Sequence, residues 1–282
     1  MEDPLTEHFP SRTLIDEEEE REAQQYAHLY TTPPDFEWTE GAGLERIGGV
    51  LHTDLLVIAT SAAACTVLER CLQDSSQIMG SLWQPEIMRD APVALRSLIE
   101  GPVGRASAAQ VLLSSPGRTA VALCRSAIPP ERAAAWAAGL LSHVRAQHIL
   151  IVASLPAREY VGMEDPTQQP LQYVLESSAA ARKSAHELPY LPTGNLVSGL
   201  PAAFMSCCQV QRMAATLLIS VDASPVPDSP CIRGTAQALT KLLSSLGASD
   251  IASQAQRADV VDDACKSMKK AARISDRAAL YI

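Results

Sequence analysis

Three stretches of this 282-residue chain run almost without a polar residue for the length of a β-strand: Asp54-Leu55-Leu56-Val57-Ile58-Ala59-Thr60, His148-Ile149-Leu150-Ile151-Val152-Ala153 and Ala215-Thr216-Leu217-Leu218-Ile219-Ser220-Val221. A half-exposed strand alternates polar with apolar residues. These do not, so each must be covered on both faces, and helices packed on a sheet supply that cover. Aromatics make up only 4% of a chain that is 47% hydrophobic, a balance that suits Ala- and Leu-rich helices on a sheet better than a sandwich of aromatic pairs. The length allows one large α/β core or two small ones, and one is expected.

The spacing predicts a helix at about 61–73, then strands at Ala109–Leu113 and Thr119–Cys124. Ser115-Pro116-Gly117-Arg118 between them is a turn at hairpin spacing, which makes the sheet mixed rather than purely parallel. Pro129-Pro130 stand before an Ala-rich helix over Glu131–Arg145. Five prolines and two polar clusters between Pro156 and Pro192 predict a long irregular excursion with a short helix at Leu171–Ser178. Further helices are expected at 201–213, 233–246 and 257–272, after which the chain ends in a free tail.

The formal charge is -9, but nine acidic side chains fall within the first 22 residues against Arg12 and Arg21, and the remainder is nearly neutral. No stripe of Lys and Arg is available to neutralise phosphates, so nucleic acid is not an expected partner. The acid run Asp16–Glu20 and Thr31-Thr32-Pro33-Pro34 predict a disordered tail over residues 1–40, in which Tyr26, Tyr30, Phe36 and Trp38 are the groups able to pack. Seven cysteines without a CxxC pair, several in apolar stretches, read as packing thiols of a reducing compartment. The start of the chain is acidic where a secretory signal is basic and then apolar, and Leu55–Leu68 is too short to cross a bilayer. A soluble, cytoplasmic protein without membrane contact is expected.

Signs of catalysis are missing. There is no phosphate-cradling glycine motif, no GxSxG and no HExxH. His8, His28, His52, His143, His148 and His186 never stand three or four residues apart, so no two would share a helix face. Cys207 and Cys208 would point about 100° apart on a helix and could not easily share a tetrahedral ion. Asp262-Asp263 meet Lys266, Lys269, Lys270 and Arg273 at the following turns and read as surface ion pairs. Neither enzymatic activity nor a metal or cofactor is expected.

The last residues, Ala278-Ala279-Leu280-Tyr281-Ile282, are apolar where a mobile terminus is ordinarily polar. Upstream lies Asn195-Leu196-Val197-Ser198-Gly199-Leu200-Pro201-Ala202-Ala203-Phe204-Met205-Ser206-Cys207-Cys208-Gln209-Val210. This segment resembles the most recognisable stretch of the proteasome assembly chaperone 1 family, with Leu200-Pro201-Ala202-Ala203 and Cys208-Gln209-Val210 standing as that family has them. The terminal pattern of hydrophobic, Tyr and any residue is similar to tails by which proteasome activators and several assembly chaperones enter pockets between α subunits of the 20S proteasome.

The resemblance implies a three-layer α/β/α sandwich with a mixed central sheet and no catalysis. The chain would divide into the acidic tail at 1–40, a chaperone domain at 41–273 and a docking tail at 274–282. Its implied partners are a proteasome assembly chaperone 2-like protein, as a heterodimer, and the 20S α subunits, in the cytoplasm and also the nucleus. Leu280, Tyr281 and Ile282 are then the binding residues. The free carboxylate would pair with a pocket lysine or backbone amides, the hydrophobic residue would fill a groove, and Tyr281 would add ring area and a hydroxyl. Two other readings stand beside this one: a chaperone 2-like subunit, and a phosphorylase-like or hydrolase-like enzyme on a comparable sheet.

Overall fold

The computed structural model describes residues 34–39, 46–47, 49–73, 76–83, 109–114, 119–126, 128–181, 187–224 and 226–279, with backbone alone at 46–47, 83, 181 and 271–279. Among them one sheet contains β1 (Asp35–Trp38), β2 (Arg46–Ile47), β3 (Val50–Ala59), β4 (Ser76–Trp83), β5 (Ala109–Ser114), β6 (Thr119–Cys124), β7 (Val144–Pro156), β8 (Leu171–Glu176) and β9 (Ala214–Asp222). The helices are α1 (Ala62–Leu72), α2 (Ala133–His143), α3 (Ser178–Ala181), α4 (Gly199–Val210), α5 (Ser229–Ser245), α6 (Ser249–Gln256) and α7 (Ala258–Ala279).

The three apolar runs lie in neighbouring strands. The sheet order is β1-β4-β5-β6-β3-β7-β9-β8, with β2 paired to the start of β3. β6, β3, β7 and β9 run parallel, whereas the β4–β5–β6 side and β8 pair antiparallel, so the sheet is mixed. Successive side chains of the central strands enter two different cores. Leu55, Val57, Leu150, Val152 and Leu218 pack with Val67 of α1, Leu239 of α5, Ile251 of α6 and Val261 of α7. Leu56, Ile58, Ile149, Ile151, Leu217 and Ile219 pack on the opposite face with Trp136 and Leu140 of α2 and Phe204 of α4. The result is the three-layer α/β/α sandwich.

Capping chemistry sets several helix starts. The Ser61 side chain accepts from the Ala64 N–H at 3.3 Å and opens α1. Asp228 accepts from the Cys231 N–H at 2.9 Å, and with Pro230 in the first turn it starts α5 at Ser229, four residues before the expected 233.

Several expectations are corrected. Leu171–Glu176 is a strand and not a helix, because its apolar Leu171, Tyr173 and Val174 are buried when it pairs antiparallel with β9. Only Ser178–Ala181 coils. The outer edge of β8 is covered in turn: Val174 N–H donates to Pro189 O at 2.9 Å, Leu191 N–H donates to Val174 O at 3.1 Å, and the Tyr190 hydroxyl donates to Glu176 at 2.7 Å. β4 is not among the strands that the sequence pattern predicts. Nor is β1, which lies inside the expected 1–40 tail. Phe36 and Trp38 alternate with exposed Asp35 and Glu37, and Phe36 stacks on His143 with ring centroids 4.4 Å apart. Four residues beside an acidic region are too few for that alternation to stand out in sequence. Helix α7 continues to Ala279, so 274–279 is helical where a free tail was expected. The 115–118 turn and residues 1–33 lie outside the described residues.

β1 pairs antiparallel with β4 and approaches it closely at Gly80. A Cβ there would lie 2.7 Å from Phe36 Cε1 and 2.9 Å from Glu37 O. Gly80→Ala should therefore lower the unfolding free energy by about 1–3 kcal/mol, as overpacking does elsewhere. A urea titration would measure this, and an unchanged midpoint would mean that Phe36 and Glu37 shift to admit the methyl group at no cost.

Candidate functional site

The three residues assigned to docking, Leu280, Tyr281 and Ile282, lie outside the described residues, but the helix that leads to them is anchored. Val261, Ala264 and Cys265 of α7 are buried, and Met268 packs against the same core. Thr66 of α1 donates to Met268 Sδ at 3.2 Å, and Arg70 donates to Ser267 at 2.6 Å. Arg233 of α5 pairs with Asp262 at 2.6 Å, while Asp263 pairs with Lys266 at 3.4 Å. The acidic pair is therefore divided between two surface ion pairs, one of them reaching another helix. At 1.5 Å per residue, the 22 residues of α7 span roughly 33 Å.

The segment that carried the family resemblance forms a loop and then α4. Gly199 has φ +64°, which favours glycine, and turns the chain into the helix. Leu200, Phe204 and Cys208 follow at four-residue spacing and enter the core beside α2. The Cys208 thiol is pushed up to about 12 by burial and by its neighbour Cys207, so packing accounts for it. Cys65, Cys71 and Cys231 are likewise pushed up to about 12, chiefly by burial, and stay protonated near neutral pH. Protonated thiols are poor nucleophiles. His143 Nδ1 lies 2.8 Å from Gly139 O and His148 Nε2 lies 3.0 Å from Thr216 Oγ1, both structural roles. Among the described residues no group of three or more His, Cys, Asp and Glu could hold a metal ion, and no helix is long and apolar enough to cross a membrane.

The sequence reading missed a surface at the C-terminal end of β7. There the chain carries Val161 and the fully exposed Met163, and the 192–198 loop beside it carries Leu196, 82% exposed. Asn195 joins the two loops by accepting from Val161 N–H at 2.8 Å and donating to Val161 O at 2.7 Å. A second clasp lies beneath: Tyr160 and Tyr173 hydroxyls are 2.6 Å apart, and Tyr173 donates to Glu164. Burial, followed by these bonds, pushes the Tyr173 phenol well above its ordinary range, so it is a donor at any physiological pH. Apolar side chains held outward by a hydrogen-bonded base suit contact with another protein more than chemistry on a small molecule. The one sequence signal was the presence of Val161 and Met163 inside an otherwise polar, proline-rich stretch.

No family model matches the chain. It is 27% identical over 100 residues to proteasome assembly chaperone 1 of Nematostella vectensis, an overlap of 34% of this chain and 38% of that protein. The chain thus spans about two fifths of the length of the curated relative that it matches. The resemblance to that family read from the sequence is met again in this comparison. Among solved structures, PbaA of Pyrococcus furiosus, an archaeal homolog of proteasome-assembly chaperone, superposes with a TM-score of 0.55 at 12% identity, covering 89% of this chain and 97% of PbaA. PbaB of the same organism, an archaeal proteasome activator, gives 0.55 at 10% identity over 87% and 99%. A protein of unknown function from Thermoplasma acidophilum gives 0.53 at 12% identity over 85% and 95%. These likenesses establish a shared fold.

The clasp beneath the exposed loop is testable by itself. Tyr173→Phe removes the hydroxyl that links Tyr160 to Glu164 and should cost about 1 kcal/mol, the usual size of a lost hydrogen bond. Amide hydrogen exchange in residues 160–168 should quicken while exchange in β3 and β7 stays as slow as in the parent.

Proposed function

We propose that this chain is a proteasome assembly chaperone that pairs with a proteasome assembly chaperone 2-like protein and promotes 20S α-ring assembly without a catalytic step, in the cytoplasm and the nucleus. The sequence likeness to proteasome assembly chaperone 1 over 100 residues carries the reading. The fold shared with PbaA over 89% of the chain supports it. Protonated, buried thiols and the outward-facing Val161, Met163 and Leu196 fit a protein that works by contact.

On this reading Leu280, Tyr281 and Ile282, with the free carboxylate, enter a pocket between two α subunits. A three-residue peptide with one ring and one charge binds modestly alone. Joined to a second contact made by the folded body, it gains effective concentration. A helical lead to Ala279 would limit the volume the tail explores and so raise that gain. The pairing with a chaperone 2-like subunit supplies the other contact, and co-expression with it should raise the soluble yield.

Removing the last three residues, or Tyr281→Ala, should weaken binding to isolated α-rings by about 1–3 kcal/mol, the range for a truncated interface anchor. One residue added after Ile282 should do similar harm, since it moves the carboxylate and keeps every side chain. All three variants should melt with the parent, because the anchoring side chains of α7 named above end at Met268. Equal α-ring affinity in parent, truncated and extended proteins would refute the docking role. Failure to bind a chaperone 2-like protein at micromolar concentration would refute the heterodimer.

A further inference from the structure

In α/β sheets, small molecules are held where the chain leaves the carboxyl ends of neighbouring parallel strands toward opposite faces. β7 and β9 are such a pair. From Pro156 the chain enters a short 3-10 turn, Ala157–Glu159, and returns through β8 before it reaches α4 on one face, whereas from Asp222 it passes directly to α5 on the other. Between the two strand ends lies an open cleft of about 340 Å³, at the lower end of the size range of small-molecule sites, whose lining is mostly exposed.

Its lining contains one acidic and one basic side chain. Asp222, half-buried, is the most enclosed polar residue in it. Its Oδ1 accepts from the Cys231 thiol at 2.9 Å and from the Ser220 hydroxyl at 3.3 Å, and Ser154 donates to the same carboxyl. Burial pushes the Asp222 carboxyl above its usual range while the three donors pull it back, so the group is both oriented and kept short of solvent. Cys231 remains a protonated donor in this arrangement. Arg158 also lines the cavity, with its side chain largely in solvent and an Nε contact of 3.5 Å to Glu159. Pro156, Ala157 and Ala223 supply short apolar walls.

We propose that this cavity binds a free α-amino acid, its ammonium group on Asp222 and its carboxylate toward Arg158. A polyanion such as a nucleotide would meet a single cation and also a carboxylate. A simple amine would leave the arginine unused, and an uncharged sugar would need neither pole. A zwitterion of a few carbons uses both and matches the volume.

The experiment uses the full-length protein with each of the twenty common L-amino acids at about 10 mM in a thermal melt, followed by calorimetric titration of the best. At least one should raise the melting temperature by about 5 °C or more, as expected for a ligand near 100 times its Kd. The corresponding N-acetyl derivative and the decarboxylated amine should each lose at least tenfold in affinity. Arg158→Ala alters an exposed side chain and should abolish the shift without changing the unliganded melt; Asp222→Asn should also abolish it. The proposal is overturned if no amino acid shifts the melt or gives heat, if the amine or the N-acetyl compound binds as well as the zwitterion, or if binding survives Arg158→Ala.

Discussion

β7 has a parallel neighbour on each side, pairing through residues Val144–Val152 with Leu51–Ala59 of β3 and through His148–Pro156 with β9, and over Ile149–Ala153 it is buried on both faces. Parallel neighbours cannot be joined by a hairpin. They require crossovers, and crossovers place helices over the sheet. α2 lies in the crossover into β7 and α4 in the crossover from β7 to β9, both on one face. α1, α5, α6 and α7 fill the other. Everything that bears on function hangs from this arrangement: the crossover from β7 carries the exposed loop, the exit from β9 lines the cleft, and the second helical layer holds the stem of the C-terminal helix.

The exposed loops of the β7-to-β9 crossover, residues 160–168 and 192–198, are held together mainly by polar bonds, with the core touching only their base. Tyr160 and Leu191 reach the core, while Asn195, Glu164 and the Tyr160–Tyr173 pair fix the backbone above them. Such a base can carry Met163 in full solvent with little strain, because the apolar side chain plays no part in holding the loop. The loop is thus held by hydrogen bonds made within the chain itself. A surface of that kind loses less entropy on binding than one that must first become ordered.

α7 combines the same two kinds of support. Its first turns are held by burial of Val261, Ala264 and Cys265 and by ion pairs and hydrogen bonds from Arg233, Arg70 and Thr66, and its backbone continues as helix to Ala279. A helix under backbone hydrogen bonding transmits the orientation of its anchored end to its free end. The direction in which the chain approaches its last three residues is accordingly decided where α7 meets α1 and α5.

The sequence by itself determined the central strands, because a run such as Leu55–Ala59 without polar residues has no stable place except between two layers. It also determined the β5–β6 hairpin strands, the positions of α1, α2, α4 and most of α5 and α7, and the family resemblance carried by residues 195–210. Only the tertiary structure decided the edges and the loops. Leu171–Glu176 is a strand because β9 offers an open edge there, and Phe36 and Trp38 bind the sheet because Gly80 and His143 leave room for them. Val161 and Leu196 share one surface because Asn195 bonds across 34 residues of sequence, and Asp222 shares a cavity with Arg158 because β7 and β9 end side by side. Local sequence encodes which residues must be hidden. Which distant residues become neighbours follows from strand order, and that is settled by packing over the whole chain.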